Sequence, residues 1–236
     1  MIVLGIETST PQTSVALGSE GQLFGSLSLA ARRGRHEVVI PALEQLLEWT
    51  GVDLDQVGGV AVGTGPGLFT GLRVGVATGK ALAQVLRVPI IGVASLDALA
   101  FGVRPTRRTI VSLIDARRSE VYFGRYRSMP GGVAREGGFQ LLTPEAVVAE
   151  IQASGEEALL VGNGATLYRR QFEELGGQIA FAPSALGHPE ASALVGLALP
   201  RLEREEYGHL FEIAPLYLRK SDAEIAWDQR ADADPT

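Results

Sequence analysis

Residues 60–86 read VAVGTGPGLFTGLRVGVATGKALAQVL. The apolar run 60–62 suits a buried strand, the glycines and proline of 63–67 break it, and the pattern from Phe69 to Leu86 predicts a helix. Along that helix Gly71, Gly75 and Gly79 recur at every fourth position and Ala83 continues the row, so one face carries almost no side chain. A glycine inside a helix costs roughly 1 kcal/mol against alanine, so something must gain from close approach to this backbone. A partner helix and the chain's own sheet are the two candidates. The loop before the helix also has two readings. Backbone amides of Gly65, Gly67 and Leu68, with the helix dipole behind them, would suit a phosphate, whereas tight packing would use the same glycines. Neither a Walker GxxxxGK[ST] nor a GxGxxG is present, because Lys80 comes too late and a proline interrupts GTGPG.

The 236 residues are 46% hydrophobic and 20% charged, which suits one large domain or two small ones around a real core. The start MIVLGIETST lacks a basic leader pattern and no long uncharged apolar segment follows, so a soluble, cytoplasmic chain away from membranes is expected. The absence of cysteine excludes disulfides, thiolate metal sites and a cysteine nucleophile. A net charge of −6 argues against a broad nucleic-acid footprint.

Outward from the central unit, segments 2–7, 13–19 and 22–29 alternate and are joined by turn residues, which predicts an antiparallel meander. After the loop 32–35, a helix is expected over 36–50, ended by Gly51, with Glu37, Glu44 and Glu48 on a narrow polar face. A strand at 89–93 and a helix at 95–101 come next, and then the polar break VRPTRR at 103–108. Beyond it the pattern restarts. Strands are expected at 110–114 and 120–126, a glycine-rich loop at 131–138, and a strand at 139–142. Thr143 and Glu145 then open a helix to about residue 153. A strand at 158–161, a helix at 166–175, a strand at 178–181 and a helix at 190–205 follow, before a frayed tail over 222–236. Both halves therefore read as a mixed sheet covered by helices, a duplication with lobes 1–104 and 105–236, in which the 190–205 helix is free to pack back on the first. Two-lobed actin-like (Hsp70-like, sugar-kinase-like) α/β folds are duplications of this kind.

Five segments are more specific: GIETST at 5–10, RHEVVIPALEQLL at 35–47, GTGPGLFTGLRVGVATGKALA at 63–83, IIGVASLDALA at 90–100 and DARRSEVYFG at 115–124. Together they resemble the TsaB (YeaZ) family of the bacterial threonylcarbamoyladenosine tRNA-modification system. The resemblance implies an actin-like fold paralogous to the catalytic subunit TsaD, and TsaD and TsaE homologues as partners. It also implies contact with tRNA only through the complex, and no cofactor of the chain's own, with ATP acting at the level of the complex. TsaD-like chains carry two metal-binding histidines four apart, and the corresponding positions here are Ser95 and Leu99. No metal is expected, since His36, His188 and His209 are scattered. Glu7 reads either as an acid group near a phosphate or as turn chemistry, and Asp115 with Arg117 and Arg118 reads chiefly as a hairpin turn.

These readings favour a non-catalytic interaction subunit. The alternative is an enzyme, an ATP-dependent phosphotransferase or a metallopeptidase-like hydrolase of the actin-like superfamily. The expected partner surface is formed by Val38, Ala42 and Trp49 of the first helix and by Gly71, Gly75 and Gly79, on a strip that would serve a homodimer equally well.

Overall fold

The computed structural model describes residues 1–30 and 38–219. Strands β1 (Ile2–Glu7), β2 (Gln12–Ser19) and β3 (Gln22–Ala30) form an antiparallel meander. Strand β4 (Val57–Gly65) then pairs parallel with β1, and β5 (Ile90–Ala94) pairs parallel with β4. The second sheet repeats the plan. Its meander is β6 (Thr109–Arg117), β7 (Glu120–Met129) and β8 (Gly132–Leu142), with β9 (Ala158–Val161) parallel to β6 and β10 (Ile179–Phe181) parallel to β9. The spatial orders β3-β2-β1-β4-β5 and β8-β7-β6-β9-β10 match strand for strand.

Alternation in the strands decides which helices cover which face. On one face of the first sheet, Leu4, Ile6, Val15 and Leu17 meet Val39, Leu43 and Leu46 of α1 (Val39–Thr50), and Val74 and Leu82 of α2 (Phe69–Leu86) join the same cluster. On the other face Val3, Ala16 and Ala61 meet Ala191, Leu194, Val195 and Ala198 of α7 (Ala191–Glu203). The approach is close, since a Cβ on Gly5 would stand 2.5 Å from the Ala191 carbonyl oxygen. Helix α3 (Ser95–Gly102) serves both sheets: Ala98 packs with the α7 cluster, while Leu96 and Leu99 pack with Ile110, Ile114 and Tyr126. The far face of the second sheet carries α4 (Pro144–Ser154), α5 (Asn163–Leu167) and α6 (Arg169–Phe172), with Val147, Ile151, Ala165 and Phe172 inward. Thr143 caps α4 by accepting from the Ala146 amide at 3.3 Å.

Beyond α7 the chain returns across both lobes. The Leu216 amide donates to the Thr64 carbonyl at 2.7 Å, the Tyr217 ring lies 4.9 Å from that of Phe69, and Arg219 donates to the Ala116 carbonyl at 2.7 Å while pairing with Glu120.

Three expectations are corrected. The glycine-rich stretch 131–138 is no loop but most of β8: Gly131 (φ 82°) turns the hairpin and Gly137 (φ 82°) sits at a break in the β7 register, so the glycines mark a turn and a bulge. Strand β4 runs on through Gly63 to Gly65, still paired with Val93 and Ala94. The helix expected at 166–175 divides into α5, α6 and a 3-10 turn (Glu173–Gln178) containing Gly176 at φ 55°. The loop 32–35, the helix start at His36 and the tail 222–236 lie outside the described residues.

Candidate partner interface

The loop entering α2 is consumed by its own fold. The Leu68 amide donates to the Ser9 carbonyl at 2.7 Å, a Cβ on Gly67 would stand 2.2 Å from the same oxygen, and Gly65 is buried against Leu72. Of the three amides expected to cradle a phosphate, at Gly65, Gly67 and Leu68, that of Leu68 is already used, and the glycines let this loop lie on the β1–β2 connection.

The glycine row has the same explanation. Gly71, Gly75 and Gly79 are buried against the chain's own first sheet. Thr8 Oγ1 donates to the Gly71 carbonyl at 2.7 Å, a Cβ on Gly75 would stand 2.2 Å from that hydroxyl, and one on Gly79 would stand 3.3 Å from Val62 Cβ. The expectation that these three glycines meet a partner is thus corrected, because β1 and β4 already occupy the flat face. Ala42 is corrected likewise, being 5% exposed in the core under α1. Val38 is half-buried at the start of α1, its carbonyl accepting from the Ala42 amide.

Trp49 is different, at 68% exposed. Ile40 at 45% and Val85 at 77% accompany it on the outer surfaces of α1 and α2. On α2 the uncharged positions Ala77, Ala81 and Val85 follow helical spacing and are all exposed, while Val74 is half-buried against the sheet. The sequence carried this signal, since 77, 81 and 85 form a row without charge beside the glycines.

Among the described residues, the acid, hydroxyl and imidazole groups singled out in the sequence have partners within the fold. Glu7 is fully buried, accepting from the Ser9 amide at 2.6 Å and from Ser95 Oγ at 2.9 Å. Burial pushes its carboxyl above the ordinary value of 4.5, against the pull of these donors. Ser95 is thereby occupied at the head of α3, and Leu99 is 3% exposed in the core. Asp115 accepts from the Arg117 amide at 2.9 Å in a hairpin turn where Arg117, Arg118 and Ser119 all have positive φ. His188 meets Thr10 Oγ1 at 3.0 Å, and burial lowers its pKa. No group of three or more His, Cys, Asp or Glu side chains arranged to hold a metal occurs among the described residues, nor does any helix among them have the length and apolarity to cross a membrane.

Two matching mixed sheets, with one helix wedged between and the chain end crossing both, define a member of the two-lobed, actin-like α/β class. The family model for TsaD, tRNA N6-adenosine threonylcarbamoyltransferase, matches residues 28–227. The tRNA threonylcarbamoyladenosine biosynthesis protein TsaB of Haemophilus influenzae is 30% identical over 96% of this chain and 96% of its own length. That of Escherichia coli is 29% identical over 96% and 97%. Among solved structures, YeaZ from Pseudomonas aeruginosa superposes with a TM-score of 0.78 at 30% identity, covering 92% of this chain and 99% of that one. The chain belongs to the TsaB (YeaZ) family.

Proposed function

We propose that this chain is a non-catalytic subunit of the machinery that builds threonylcarbamoyladenosine beside the tRNA anticodon, and that it binds and supports a TsaD homologue together with a TsaE homologue. One observation carries the reading. At the two positions where TsaD-like chains are expected to supply metal-binding histidines, Ser95 spends its hydroxyl on Glu7 and Leu99 packs into the core. The names of the relatives support the pathway, and the match to the TsaD model supports a paralogue that pairs with TsaD. The partner surface is the outer side of α1 and α2, where Ile40, Trp49 and Val85 are each exposed. A homodimer would use the same surface. Nucleotide acts at the level of the complex, the cytoplasm is the compartment, and tRNA is reached through the assembled subunits.

Reconstitution with tRNA, ATP, threonine and bicarbonate tests this. The chain alone should yield no modified adenosine, the full set of partner enzymes should yield it, and omission of this chain should abolish or sharply slow the reaction. Product from this chain alone, or stoichiometric zinc or iron in the purified protein, would overturn the proposal.

A further inference from the structure

The break VRPTRR at 103–108, which the proposed function leaves unused, folds against the tip of the β7–β8 hairpin. Between them lies an open cavity of ≈ 530 Å³, walled by Thr106, Arg107, Arg108, Thr109, Arg127 and Ser128 along with residues 129–130. Three arginines and three hydroxyls line it and no carboxylate does, in a chain whose net charge is −6.

The acids nearby hold only part of this charge. Glu157 pairs with Arg108 Nη2 at 3.3 Å, Glu156 with Arg127 Nη2 at 2.6 Å, and Glu136 also pairs with Arg127. Arg108 Nη1 is buried without a hydrogen-bond partner. Arg107 is exposed and has no ion pair among the described residues. Of the hydroxyls, Thr109 donates to Glu156 and Ser128 to the Arg104 carbonyl, but Thr106 accepts from the Arg108 amide and so keeps its O–H to donate. The remaining donors are those a tetrahedral oxyanion takes: the whole Arg107 guanidinium and the Thr106 hydroxyl.

We propose that this pocket beside the β7–β8 hairpin tip grips a backbone phosphate of RNA, giving the chain a direct hold on the tRNA of the modification complex. The proposal rests on the functional reading above for the identity of the RNA. A local pocket of this kind is compatible with an acidic chain, because one or two phosphate contacts position a nucleic acid without a broad basic face.

The test uses the full chain, alone and assembled with TsaD and TsaE homologues, and follows tRNA binding across a salt series. Arg107→Glu should weaken tRNA binding at least tenfold at about 0.1 M salt and flatten the slope of log K against log salt by about 1, whereas Arg107→Lys should stay near the parent. Capture of TsaD should be equal for all three proteins, since residue 107 is remote in sequence from α1 and α2 and exposed. Unchanged tRNA affinity and slope in both Arg107→Glu and Arg108→Glu, with TsaD capture intact, would overturn the proposal. So would a pocket that takes ATP or inorganic phosphate in an Arg107-dependent way while tRNA binding ignores the substitution. Failure of the parent chain to capture TsaD would count against the functional reading instead, and the tRNA series on the chain alone would still decide the pocket.

Discussion

The two lobes share a strand order and differ in what joins their fourth strand to their fifth. In the first lobe α2 is a single helix of 18 residues; in the second the same connection holds α5 and α6, of 5 and 4 residues, and a 3-10 turn. Both connections begin with glycine against backbone: a Cβ on Gly67 would stand 2.2 Å from the Ser9 carbonyl oxygen in the β1–β2 connection, and one on Gly162 would stand 2.1 Å, and one on Gly164 3.1 Å, from the Leu113 carbonyl oxygen in β6. Thereafter they diverge. Four and eight residues beyond Gly71 stand Gly75 and Gly79, but four and eight beyond Gly164 stand Tyr168 and Phe172. A helix keeps backbone contact with a sheet only while small residues repeat along the touching face, and a bulky residue in that row lifts it away. The first lobe thus keeps one helix of 18 residues with an exposed outer side, and the second does not.

The sharpest way to break this comparison is Gly75→Leu. Thr8 and the strand behind it have no room to yield, so a loss of roughly 3 kcal/mol or more is expected, at the top of the range for overpacking. Gly164→Leu, where a Cβ would meet the Leu113 backbone at 3.1 Å against 2.2 Å from Thr8 Oγ1 at Gly75, should lose roughly half as much. Urea denaturation of both variants checks it, and equal losses would mean that the long helix is no more tightly seated than the short one. Trp49→Glu and Val85→Glu probe the outer surface. Each should leave the denaturation midpoint within about 0.5 kcal/mol of the parent and weaken TsaD binding by about 2 kcal/mol, roughly thirtyfold, through a charge placed in a desolvated contact. Calorimetric titration showing parental affinity for both would move the partner to another face.

The smallest effect is a contrast in pH dependence. Glu7 in the first lobe is raised by burial, so its contribution to stability is complete below 4.5 and is lost as pH rises through its folded value. Glu156 in the second lobe is held at about 2 by the Thr109 hydroxyl and by Arg127 and Arg125, so its contribution is present above 4.5 and is lost as pH falls toward 2. In a series of urea midpoints, Glu7→Gln should remove a decline on the alkaline side and Glu156→Gln a decline on the acid side. The same pH profile in both variants would contradict the assignment.

The first meander was legible because apolar alternation and turn residues mark strands together with their turns, and α2 was legible to the residue because its apolar and small rows repeat without a break. What periodicity could not give was the identity of the neighbour. Gly71, Gly75 and Gly79 announce a close contact, but a strand of the same chain and a helix of another molecule demand the same bare surface. Ala42 was misread for a related reason: α1 is apolar around most of its girth, so the pattern does not say which part is covered, and only the packing with Leu4 and Leu17 does. Gly137 misled in the opposite sense, since a bulge and a loop both call for glycine at positive φ.

Helix α7 imposes an order on synthesis. Val3 emerges at the start of the chain, yet its cover, Leu194 and Val195, is made near the end. At about 5–20 residues per second, translation of the intervening stretch takes on the order of 10–40 s. Through that interval the nascent first sheet holds Val3, Ala16 and Ala61 without their permanent cover, a sticky state that suits chaperone attention. The earliest-made lobe is therefore the last to be finished, and a ribosome that stalls before residue 191 releases a product with an open core.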